Sequence, residues 1–186
     1  MRIRFAVMLV TLLLARAEAR AGPAGWTLVG TDRSSYAMDR DTLVAHAGKS
    51  SGRLMNVRES RGFGTMMQCI DQADYAGKRV RFSAYVKARD VSNWAGVWMR
   101  IDGPSHSLGF DNMHDRPIKG TRDWARYDVV LDVAKEATGI CLGLLLDGDG
   151  KVWMSGVTFE VVDTAVPTTG TGDQRPNKPA NLGFEH

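Results

Sequence analysis

Apolar and polar residues alternate with a period of two in segment after segment between residues 26 and 162. That is the pattern of strands burying one face. In Val80-Arg-Phe-Ser-Ala-Tyr-Val-Lys-Ala88, the residues Val80, Phe82, Ala84, Val86 and Ala88 share one face. In Gly96-Val-Trp-Met-Arg-Ile-Asp102, Val97, Met99 and Ile101 fall on one face and Trp98, Arg100 and Asp102 on the other. Tyr127 to Val133 alternates too, and Lys151 to Val162 closes the series. Gly139 to Leu146 is continuously apolar, as for a strand covered on both faces.

Turn chemistry separates these runs. Asp74-Tyr-Ala-Gly77, Asp102-Gly-Pro-Ser105 and Asp147-Gly-Asp-Gly150 are the Gly, Pro and Asp punctuation of tight reversals, and the last reads as a hairpin turn. No stretch between 26 and 162 sustains a helical period over three turns. Short strands at this spacing predict an all-β antiparallel sandwich or barrel, and roughly 135 residues are enough to bury its core.

The ends read differently. Met1 to Arg4 is cationic, and Phe5 to Ala15 is an uncharged apolar run. As a helix that run rises about 16 Å, too short for a hydrocarbon core of ~30 Å. With Ala17-Glu18-Ala19 and Ala19-Arg20-Ala21 as exits, residues 1–21 read as a secretory signal peptide; the alternative is an uncleaved anchor. The expectation is a secreted or periplasmic protein with no membrane span in the mature chain. Residues 22–162 form the expected sandwich. Residues 163–179 are Pro-, Gly- and Thr-rich and read as a flexible linker, and residues 180–186 as a strand-like tail.

Charge changes with the leader. The whole chain is formally +3, but residues 1–21 carry Arg2, Arg4, Arg16 and Arg20 against Glu18. The remainder is balanced, with 20 basic and 20 acidic side chains, which excludes a long-range field for nucleic acid. Export also bears on Cys69 and Cys141, the two cysteines. In an oxidising compartment they are candidates for a disulfide, with two separate buried thiols as the alternative.

Several segments resemble a known fold family. Ala45 to Leu54, Gly77 to Lys87 (GKRVRFSAYVK) and Thr121 to Tyr127 (TRDWARY) resemble strands of galactose-binding-like jelly rolls, the fold of many carbohydrate-binding modules. Phe110 to Thr121 (FDNMHDRPIKGT) resembles a loop of the subgroup found beside bacterial transcriptional regulators and secreted hydrolases. The resemblance implies a β-sandwich of jelly-roll type. It also implies a structural calcium in many members, but Ser155 and Gly156 stand where that family carries acids, so no cofactor or metal is expected here. In the same family an N-L-x-F-E segment opens the first strand; here Asn181-Leu-Gly-Phe-Glu185 stands after residue 179 instead. This suggests a tail that completes the sandwich in cis or by strand exchange, or else the start of a further domain.

The candidate chemistry is recognition. Trp98, Arg100 and Asp102 place a ring, a fork donor and an acceptor side by side, and the following loop adds Asp111, Asn112, His114 and Arg116. Ring stacking and planar polar groups suit a glycan. The competing reading puts Trp98 in the core, makes Arg100 and Asp102 a solvated ion pair, and has Arg116 pinning a strand end. There is no G-x-S-x-G, H-E-x-x-H, P-loop or G-x-G-x-x-G, so a hydrolase is disfavoured. The expectation is an exported, non-catalytic glycan-binding module. The alternative is a protein-interaction or assembly domain, with self-association through the tail.

Overall fold

The structure is a computed structural model that describes residues 22–46 and 48–172. The expected signal peptide and the strand-like tail lie outside the described residues. The described residues form ten strands: β1 (Thr27–Val29), β2 (Tyr36–Asp41), β3 (Ser51–Asn56), β4 (Phe63–Ile70), β5 (Arg79–Asp102), β6 (Ser107–Asp111), β7 (Ile118–Asp132), β8 (Gly139–Asp147), β9 (Lys151–Val162) and β10 (Thr171–Gly172). Every pairing is antiparallel. The fold is a β-sandwich of jelly-roll type.

β5 builds both layers. Its first half pairs with β7 and β9, and its second half with β8 and β6. The first sheet therefore runs β7–β5–β9–β3–β2 and the second β1–β4–β8–β5–β6–β10. The strand turns the corner through register shifts around Val86 to Ala95, as strands that change sheets do. Asp90 sits at this corner with φ of 55°, and its N–H is bonded to Thr121 Oγ1 at 3.0 Å.

The alternation of β5 sets the core. Val80, Phe82, Ala84, Val86 and Ala88 from one half, and Val97, Met99 and Ile101 from the other, are all essentially inaccessible. Leu54, Met66, Leu131, Ile140, Leu144 and Leu146 close the space between the sheets. Trp98, Cys141 and Leu145 form a second, smaller buried cluster, with Phe63, Met67 and Trp94 packed on it. These residues occupy the alternate positions of β4, β5 and β8, so this cluster lies on the outer face of the second sheet.

Two local expectations are corrected. Asp147 to Gly150 is a turn, with positive φ at Gly148 and Gly150, but β8 and β9 belong to different sheets, so it is a crossover and not a hairpin. Residues 163–172, expected as the beginning of a flexible linker, lie along the domain. Arg79 Nη1 donates to the carbonyls of Thr164 and Val166 at 2.7 and 2.6 Å. The Thr169 N–H donates to the Val130 carbonyl, the Val130 N–H donates to Thr169 Oγ1, and β10 pairs with Phe110 and Gly109 of β6. Backbone pairing and a buried hydroxyl contact override the linker-like composition.

Cys69 and Cys141 are directly opposite in the β4–β8 register and form a disulfide. It closes a loop spanning 72 positions and staples β4 to β8 at the rim of the outer cluster.

Candidate functional site

The outer face of the second sheet carries a cleft of about 190 Å³ lined by β1, β4, β5, β6 and β8. Its walls are Val29, Phe63, Met67, Leu145 and Phe110, and its floor is Trp98. Phe110 is 40% exposed and is the accessible ring of the group. Arg100, Asn112 and Thr65 supply the polar side chains.

Trp98 differs from the stacking platform expected of it. Only 6% of it is accessible. It lies opposite Gly143 in the ladder, and its Nε1 donates to Thr65 Oγ1 at 2.7 Å. Thr65 Oγ1 in turn donates to the Leu144 carbonyl at 3.0 Å. The indole is buried among its neighbours and lines the cleft.

Arg100 and Asp102 are clipped together, Nε to Oδ1 at 2.6 Å and Nη2 to Oδ2 at 3.2 Å. Arg100 lines the cleft; Asp102 lies one pleat further along the strand and orients the guanidinium. Asn112 also lines the cleft, its Oδ1 accepting the His114 N–H at 3.1 Å.

A second depression, of about 240 Å³, adjoins the first across Phe110 and Asn112. His114, Asp115, Asp111, Thr169 and Gly170 complete its lining. His114 meets Trp94 edge-on, with ring centroids 5.6 Å apart. Thr169 and Gly170 are the contribution of residues 163–172 to this wall.

Arg116 lines neither depression. It pairs with the buried Asp111, Nη2 to Oδ2 at 2.5 Å, and reaches Asp115 and the Asp128 carbonyl. Asp111 also accepts from Thr169 Oγ1 at 2.6 Å and the Met113 N–H at 2.8 Å. Burial pushes its carboxyl upward, but these hydrogen bonds and the Arg116 charge outweigh it and hold Asp111 below the usual carboxylate range. Met113, with φ of 61°, buries its side chain in the main core. The loop expected to bind through Arg116 is thus anchored by Arg116 and presents Asn112 and His114.

Phe63, Met67, Leu145 and Phe110 were not singled out from the sequence. The available signal was the outward positions of β4 and β8, which become meaningful only once those strands are known to flank Trp98. Among the described residues, no group of three or more His, Cys, Asp and Glu side chains converges as a metal site would. No described helix is long and apolar enough to cross a membrane.

Comparison with solved structures agrees with the architecture. The CBM22-1 xylan-binding domain of Paenibacillus barcinonensis Xyn10C superposes with a TM-score of 0.54 at 16% identity, over 78% of this chain and 90% of that one. The likeness is one of fold, an antiparallel β-sandwich of jelly-roll type. The enzymatically active domain of bacteriophage CBA120 tailspike protein 4 matches with a TM-score of 0.57 at 14% identity, over 75% of this chain and 20% of that one. In sequence, the chain is 41% identical over 166 residues to a protein of Bacillus subtilis (strain 168) described as an uncharacterized HTH-type transcriptional regulator, YbfP. The match takes in 87% of this chain, and the chain spans 56% of the length of that relative. No family model matches the sequence.

Proposed function

We propose that the protein is an exported, non-catalytic module that binds a glycan in the cleft between Phe110 and the β4–β8 wall. The observation that carries the reading is the cleft: a recess with an exposed ring at its edge and two polar side chains at one end. Sugars offer C–H faces to rings and hydroxyls to planar polar groups. The likeness to a xylan-binding domain supports a carbohydrate over other small ligands.

A binding role fits the chemistry better than hydrolysis. Glycoside hydrolysis uses two carboxyl groups on either side of the scissile bond. The cleft is lined by none. The adjoining depression has Asp111 and Asp115, and both are bonded to Arg116. Export is supported by the leader-like residues 1–21 and by the disulfide, a bond characteristic of oxidising compartments.

The sequence likeness to part of a protein described as an HTH-type transcriptional regulator is compatible with a recognition domain used in more than one setting. Titration of the protein with a panel of oligosaccharides, read by tryptophan fluorescence and by amide shifts of β4, β5 and β6, tests the reading. Saturable shifts confined to the cleft support it, and a panel without effect refutes it.

A further inference from the structure

The polar atoms of the cleft are all of one kind. Thr65 Oγ1 has its proton engaged, accepting from Trp98 and donating to Leu144. Trp98 Nε1 is spent on Thr65. Asn112 Oδ1 already accepts from the His114 N–H. Arg100 uses Nε and Nη2 on Asp102. Among the described residues, the atoms left without a protein partner are Arg100 Nη1 and Asn112 Nδ2, both of them donors. The cleft's side chains therefore offer two unengaged donors, while each of their oxygens is already engaged at least once.

A sugar hydroxyl placed there would accept a bond, but its own proton would find only side-chain oxygens that are already engaged, so it matches the two donors less well than a group that only accepts. A carbonyl oxygen has no such proton. A carboxylate also lacks one, but Asp102 already balances the Arg100 charge at 2.6 Å, which removes the attraction for an anion. The rest of the recess is Val29, Phe63, Met67, Leu145 and the Trp98 indole, which suit a methyl group.

From this we infer that the cleft selects an N-acylated sugar. The acyl carbonyl lies against Arg100 Nη1 and Asn112 Nδ2, the acyl methyl in the apolar recess, and the ring against Phe110. The inference rests on the glycan-binding reading and narrows it to one substituent. The adjoining depression across Phe110 gives the next sugar of a chain its place.

Three disaccharides of the same linkage test it: N,N′-diacetylchitobiose, its de-acetylated form and cellobiose, each titrated calorimetrically into the protein. The acetylated sugar is expected to bind at least tenfold more tightly than either of the others. Asn112→Asp keeps the acceptor for the His114 N–H and removes the donor; Arg100→Gln removes the guanidinium. Each is expected to cut the preference at least fivefold with the melting temperature unchanged. Equal or tighter binding of cellobiose overturns the inference, as does a preference that survives both substitutions. Binding of some other glycan with none of these three also overturns it, and leaves the broader reading standing. Failure of every glycan tested brings down both.

Discussion

The indole of Trp98 on β5 lies across Gly143 on β8, its partner in the ladder. A Cβ built on Gly143 would collide with the Met66 carbonyl oxygen and stand 3.0 Å from Trp98 Nε1. The absent side chain leaves room for the indole Nε1 to reach Thr65. Gly143→Ala is expected to destabilise the fold by about 1–3 kcal/mol, since overpacking forces neighbours off their positions. It should also shift the Trp98 Nε1 proton resonance. Unchanged stability together with an unchanged indole resonance would contradict this packing.

Trp98 and Phe110 should separate structure from recognition. Trp98→Ala empties a buried site and is expected to cost about 3 kcal/mol or more. Phe110→Ala removes a 40% exposed ring and should change stability by no more than about 0.5 kcal/mol, while weakening ligand binding at least tenfold. Thermal unfolding and titration of the two variants check the contrast; a Phe110→Ala variant that binds normally would move the site elsewhere.

How much of this was legible in the sequence follows from the range of each interaction. The alternation in β5 gave the core face through Val80, Phe82 and Val97, and also placed Trp98, Arg100 and Asp102 on one face, because period two is local. The burial of Trp98 was not legible, since it depends on Thr65 and Gly143 from strands distant in sequence. Nor was the docking of residues 163–172: the clip between Thr169, Asp111 and Val130 leaves no trace in a Pro/Gly/Thr composition. Cys69 and Cys141 were candidates for pairing, and it is the β4–β8 register that sets them face to face.

The disulfide should matter for stability. Closing a loop of 72 positions restricts the unfolded chain, and its removal is expected to cost roughly 2–4 kcal/mol. Cys69→Ser with Cys141→Ser, or reductant added to the native protein, should lower the melting temperature accordingly. Equal melting curves with and without reductant, with thiol titration showing the bond cut, would contradict it.

Asp111 should give the domain an acid-sensitive joint. Its carboxyl is held below the usual range in the folded state, so the unfolded chain takes up the proton first as pH falls. The stabilisation is complete above the ordinary carboxylate range, about pH 4 and higher, and is lost as pH falls through the folded-state value. Asp111→Ala leaves Arg116 without its buried partner and is expected to cost about 3 kcal/mol at neutral pH. The variant should also lose part of the acid limb seen in the native protein's stability profile. A variant with the native profile would show that the pair carries no such weight.

The central claim is that the cleft at Phe110 binds a glycan. Its most direct measurement is an amide and indole NMR titration of the native protein and of Phe110→Ala with the same oligosaccharide panel. The account predicts saturable shifts at Trp98 Nε1, Arg100, Phe110 and Asn112 in the native protein, lost in the variant. Shifts from every ligand that fall on the opposite sheet, or no shifts at all, would contradict it.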